Sequence, residues 1–173
     1  MWRAILAILA AAAASPLLVR AAPGYDPWTW LLWGREVASG TLSTADGPAF
    51  KPLPVAVCAL LAPLGSAAPV LWVVFVRAAA GVALWLAYRL GRELGGSRWA
   101  GAAAVAGVAL AGGFALEASR GSEAPLVIAG ALAAMACWRA GDHERSSRRP
   151  QAHHEQAGAL RREYALSRRS HPR

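Results

Sequence analysis

The sequence predicts an all-α, polytopic helical membrane protein with about four transmembrane helices. Three observations predict it. The 173 residues are 56% hydrophobic and only 16% charged, with a mean hydropathy of +0.34, whereas roughly 25% charged is ordinary for a soluble domain. The apolar residues gather into long runs separated by short charged links. Length then limits the count, because about 20 residues per crossing leaves room for a handful of spans. This excludes a disordered chain, which is poor in apolar residues, and a large transporter. Cys58 and Cys137 lie inside apolar runs, where a reduced thiol acts as a small hydrophobe, so no disulfide framework is expected.

The first span is placed at residues 4–19, between Arg3 and Arg20. A charged start and small residues at Ala21 and Ala22 also suit a secretory signal, but the run is long for a signal core and an uncleaved signal anchor is preferred. An outer loop follows over residues 20–67. Within it, Asp26 reads as an N-cap, Pro27 as a first-turn residue and Gly40 as a C-terminal stop, giving an interfacial helix over 27–39. Its tryptophans, Trp28, Trp30 and Trp33, suit the membrane interface. The prolines make Lys51-Pro52-Leu53-Pro54 extended. After it, residues 54–64 form a second interfacial or re-entrant helix, its apolar run of about ten residues being too short to cross.

The second span covers 68–90 and contains Arg77. The third covers 99–116 and is rich in small residues, Gly101, Gly107, Gly112 and Gly113 among them, which let helices approach closely. The fourth covers 124–138. Arg89, Arg92 and Arg98 sit in the link between the second and third spans, and residues 139–173 hold nine basic residues against four acidic ones. By the positive-inside rule both regions are cytoplasmic, as are both termini, and the segments 20–67 and 117–123 face outward. The chain is thus expected in the cell membrane. Its tail is expected to be disordered and attracted to anionic lipid; it lacks the interleaved aromatics of a nucleic-acid-binding segment, so no nucleic acid partner is expected. His143, His153 and His154 lack the spacing of a metal site, and no metal or other cofactor is assigned.

The order Asp26, an aromatic helix, Gly34-Arg35-Glu36-Val37 to Ser39-Gly40, then Lys51-Pro52-Leu53-Pro54, then Arg77 early in the next span resembles the amino-terminal part of membrane-embedded GT-C glycosyltransferases. Within that class it is most similar to the lipid A aminoarabinose transferase and protein O-mannosyltransferase branch. The resemblance covers about residues 20 to 135. The pattern departs at Leu53, which replaces the second proline of a Lys-Pro-Pro-Leu element, and at Pro27, which follows the acid in place of a second acid. The resemblance implies a donor sugar carried on a polyprenyl phosphate and transferred on the outer face. It implies Asp26 and Glu123 as catalytic acids, and Lys51 and Arg77 as ligands of the lipid phosphate, with Arg35 and Arg120 as further substrate-binding candidates. Such enzymes continue through many more spans, so the chain reads as the first part of a longer reading frame, inactive alone.

Each candidate also has a structural reading. Asp26 is an N-cap, Glu123 a first-turn acid favoured by the helix dipole. Arg120 pairs with Glu117 or Glu123, Arg35 with Glu36 or another carboxylate of the loop, and Arg77 snorkels to the outer interface. The alternative function is a small non-enzymatic membrane protein that scaffolds a partner through Gly101 and Gly107.

Overall fold

The computed structural model describes residues 2–45 and 47–142. Among the described residues there is no strand, and the chain is an all-α protein: α1 (Trp2–Ala14), α2 (Tyr25–Ser39), α3 (Pro52–Leu61), α4 (Ala68–Gly95), α5 (Arg98–Leu110), α6 (Phe114–Arg120) and α7 (Ala124–Asp142). It divides into two compact units, residues 1–133 and 134–173. Of the second, the described part is the carboxyl-terminal end of α7. The expectation for the tail beyond residue 142, with its histidines, lies outside the described residues.

Helix α4 organises the first unit. Its buried residues Ala68, Trp72, Val76, Ala80, Ala83, Ala87 and Leu90 recur every three or four positions and so line one face. Against α4 pack α1, α3, α5 and α6. One core cluster joins Trp30, Leu31 and Trp33 of α2 to Val55 and Cys58 of α3 and to Trp72, Val73 and Val76 of α4. A second joins Ala80 and Ala83 of α4 to Phe114 and Ala118 of α6, with Ile128, Ala129 and Leu132 of α7 packed against it.

Two helices are long and apolar enough to cross a membrane, or three if α5 and α6 are counted as one bent span. Helix α4 has 28 residues, about 42 Å, and runs past the expected end at residue 90. Helix α7 reaches Asp142 and has 19 residues, about 28 Å, which is longer than the expected 124–138. The count of about four spans is not reproduced. The helix over the first run has 13 residues, about 20 Å, followed by a 3-10 turn at Ser15–Leu17, and falls short of the ~30 Å hydrocarbon core. The expected third span is broken rather than continuous: α5 and α6 meet at 61°. The break lies at Gly112 and Gly113, with φ of +47° and +77°, a left-handed region that glycine enters without a steric cost. Small residues read as packing positions are here the hinge between two helices.

The outer-loop helices also start elsewhere than expected. Helix α2 begins at Tyr25, and its N-cap is Gly24 in an extended conformation. Asp26 is therefore a first-turn residue and not the cap. The reason is tertiary: the Gly24 N–H donates to the Arg120 carbonyl at 2.8 Å, which anchors the chain two residues before Asp26. Helix α3 begins at Pro52, so Pro52 and Pro54 sit in its first turn instead of an extended segment. Prolines are tolerated there because first-turn N–H groups have no intrahelical acceptor to lose. The helix gives way at Ala62–Ala67 to 3-10 turns with a break at Gly65, ahead of α4.

Candidate functional site

The site is built where three separate segments meet: the start of α2, the Lys51 cap of α3, and the link between α6 and α7. Backbone bonds fix the arrangement. The Gly24 N–H to Arg120 carbonyl bond ties α2 to the end of α6. The Trp72 indole of α4 donates to the Gly121 carbonyl at 2.8 Å, and both groups are buried. Glu123 follows two residues later, and its carbonyl accepts from the N–H groups of Leu126 and Val127 to open α7. The Ser122 hydroxyl accepts from the Ala124 N–H at 3.4 Å, a weak bond at this distance.

Lys51 forms an ion pair with Glu123. Its ammonium also lies 5.2 Å from the centroid of the Trp30 ring, within reach of a cation–π attraction. Trp30 is fully buried and meets Trp72 edge-on, with centroids 5.9 Å apart and planes at 78°. Two tryptophans thus form a rigid base under the lysine. Among the described residues the buried Trp30 indole nitrogen has no hydrogen-bond partner. Partial burial would raise the Glu123 carboxyl, but the Lys51 hydrogen bond and charge, with help from its own backbone N–H and Ser122, outweigh burial and hold it below the ordinary glutamate range.

Beside this pair lies a pocket of about 180 Å³ lined by Asp26, Glu117, Arg120 and Glu123, with Tyr25, Pro27 and Ser122 completing the wall beside Gly24. Of the six candidate residues, the structure gathers Asp26, Glu123 and Arg120 around this pocket and attaches Lys51 to Glu123. Arg120 is exposed, and among the described residues it forms no ion pair with Glu117 or Glu123. Three carboxylates and one guanidinium make a wall of mixed charge, with the Lys51 ammonium paired to Glu123 beside it. Such a wall suits a ligand carrying both hydroxyls and an anion: carboxylates accept from hydroxyls, and arginine donates to oxyanions.

Arg35 and Arg77 lie outside the pocket. Arg35 does not pair with Glu36; its guanidinium approaches the Gly65 carbonyl at 3.5 Å, while the Glu36 carboxylate accepts from the Ser43 N–H at 3.2 Å. Arg77 donates to the Ser15 hydroxyl at 2.9 Å and to the carbonyls of Val19, Arg20 and Ser119 at 3.1, 3.2 and 3.4 Å. It thereby ties α4 to the end of α1 and to α6. Sequence reading missed the tryptophan base of Lys51 and the acceptors of Arg77. The sequence marks Trp30 only as an interfacial aromatic, whereas it is fully buried, and nothing in the sequence marks backbone carbonyls as arginine partners. No protein-family model, curated protein or solved structure matches this chain.

Proposed function

We propose that the chain carries the acidic pocket and donor-recognition region of a membrane glycosyltransferase of GT-C type, transferring a sugar from a polyprenyl-phosphate carrier to an extracytoplasmic acceptor. The observation that carries this reading is the meeting of Asp26 and Glu123, from opposite ends of the first unit, around one pocket with Arg120. Arg120 and Lys51 supply positive charge for the carrier phosphate, and the carboxylates accept from sugar hydroxyls. In the transfer, Asp26 takes the proton of the acceptor hydroxyl as its oxygen bonds to the anomeric carbon. The bond to the carrier phosphate breaks and its electron pair leaves with the polyprenyl phosphate.

The pocket then faces the outer side of the membrane, with both termini cytoplasmic. Reporter fusions at Gly47 and at Arg173 test this, the reading requiring opposite sides.

Donor recognition is tested with the full chain in nanodiscs of zwitterionic phospholipid, by measuring binding of a polyprenyl-phosphate sugar and of bare polyprenyl phosphate. Arg120→Ala is expected to weaken both about tenfold, the loss of one charge-assisted hydrogen bond. Asp26→Asn is expected to weaken the sugar-bearing lipid alone. Equal binding of phosphatidylglycerol, or no effect of either substitution, overturns the assignment.

A further inference from the structure

Arg77 is the tenth residue of α4, about 13 Å along the helix from Ala68. A guanidinium at that depth in an apolar helix is costly, and its partners show what it is kept for. Nη1 donates to the Ser15 hydroxyl and the Val19 carbonyl, and Nη2 to the Arg20 and Ser119 carbonyls. All four acceptors are neutral, and no carboxylate pairs with Arg77 among the described residues. These bonds fix geometry rather than cancel charge.

The two carbonyls on Nη2 belong to separate segments. Arg20 lies in the linker between α1 and α2, and Ser119 in the last turn of α6. Carbonyl oxygens carry like partial charge, so two of them converge only with a donor or a cation between them. Beyond both residues, the Gly24 N–H meets the Arg120 carbonyl at 2.8 Å. A closed ring results, from Arg77 to Arg20, along the linker to Gly24, across to Arg120 and back through Ser119. Among the described residues no other hydrogen bond joins residues 19–24 to α4 or α6. Asp26 stands just past Gly24 and Glu117 just before Ser119, and both line the acidic pocket with Arg120. The ring therefore sets the α2 wall of the pocket against its α6 wall.

We propose that Arg77 is a positioning residue of the acidic pocket. By clamping the Arg20 and Ser119 carbonyls it holds Asp26 at a fixed place opposite Glu117 and Arg120, and so confers selectivity for the sugar-bearing carrier over the bare one. It touches neither sugar nor phosphate. The selectivity rests on the sugar-transfer reading, whereas the placement of the two walls does not.

The test uses the purified full chain in nanodiscs of zwitterionic phospholipid. It carries Cys137→Ala and spin labels on Ala22→Cys and Leu116→Cys, both exposed positions, while Cys58 is buried and stays unlabelled. The readouts are the width of the distance distribution between the labels and the binding of polyprenyl-phosphate sugar and of bare polyprenyl phosphate. Arg77→Met and Arg77→Lys are both expected to broaden the distribution. Both should weaken the sugar-bearing lipid about tenfold, the loss of one charge-assisted hydrogen bond from Asp26, and change bare polyprenyl phosphate less than about twofold. Lysine does not rescue, because one ammonium cannot present the planar fork that reaches all four oxygens. A phosphate ligand would behave in the opposite way, bare carrier being lost in Arg77→Met and largely kept in Arg77→Lys. Gly24→Pro removes the N–H of the second link without altering α4, and the φ of −73° there already suits proline. It is expected to reproduce both effects, and decides the matter if the Arg77 variants fail to fold. The proposal is overturned if folded Arg77→Met keeps a narrow distribution, if Arg77→Lys restores the parent's selectivity, or if Gly24→Pro leaves both readouts unchanged. The label distances need no ligand, so a parent that binds no sugar-bearing lipid refutes the sugar-transfer reading while the distances still decide whether Arg77 positions the pocket walls.

Discussion

Lys51 and Glu123, 72 positions apart, form an ion pair that joins the cap of α3 to the start of α7 over the face of Trp30. The pair closes the loop of chain that contains α3, α4, α5 and α6. Both side chains remain about one-third exposed, at 34% and 30%, so solvent screens the attraction and the pair fixes position more than it supplies stability.

A double-mutant cycle of Lys51→Met and Glu123→Gln measures that coupling. The expected interaction is about 1 kcal/mol, the upper end for pairs that water still reaches. Each single variant should also widen donor-lipid selectivity if the pair positions Glu123 at the pocket. Strict additivity of the two thermal shifts would show that the pair contributes no coupling.

The coupling should depend on pH in one direction. Partial burial opposes ionisation of Glu123, but Lys51 more than offsets it and the folded-state carboxyl titrates below the unfolded one. Its contribution is therefore fully present above the unfolded value and is lost as pH falls through the folded value. The same cycle measured at neutral pH and again in acid, below both values, should lose its coupling at the lower pH. A coupling that survived there would mean the carboxylate charge is not what holds Lys51.

Much of this architecture was legible in the sequence, and the failures share a cause. The apolar runs gave α4 and α7 because a long apolar helix needs only composition and length to be recognised. Gly40 was readable as the stop of α2 for the same local reason, and the structure places it there in the left-handed conformation. Asp26 misled because a good capping residue stands two positions inside a helix whose start is set by the distant Arg120 carbonyl. Gly112 and Gly113 were visible as small residues, yet whether a glycine pair packs or bends depends on the helices around it. The meeting of Asp26 with Glu123 was suggested only by the order of motifs; spacing along the chain carries no information on which loops share a pocket.

Close packing of α2 on α3 rests on Gly34. A Cβ there would stand 2.6 Å from the Cys58 carbonyl carbon and 2.7 Å from the Ala59 nitrogen, both backbone atoms that cannot turn aside. Gly34→Ala must push the helices apart, at a cost of about 1–3 kcal/mol by the usual penalty for overpacking. Gly107→Ala is the control, since nothing lies within 4 Å of its added methyl, and it should be neutral or slightly stabilising through helix propensity. Thermal unfolding followed by circular dichroism separates the two, and equal behaviour would mean that α2 and α3 do not approach this closely.

Trp72 links the core to the pocket, because its ring supports Trp30 while its Nε1–H holds the Gly121 carbonyl. Trp72→Phe keeps an aromatic ring but removes the donor, leaving a buried carbonyl unsatisfied at a cost of about 1–3 kcal/mol. The consequence should reach beyond stability. Gly121 precedes Ser122 and Glu123, so releasing its carbonyl loosens the link that presents Glu123 to Lys51. The expected result is a lower Tm together with a reduced Lys51–Glu123 coupling when the cycle is repeated in the Trp72→Phe background. A lower Tm with the coupling intact would confine Trp72 to packing and leave the α6–α7 link to be held by Gly24 and Arg120 alone.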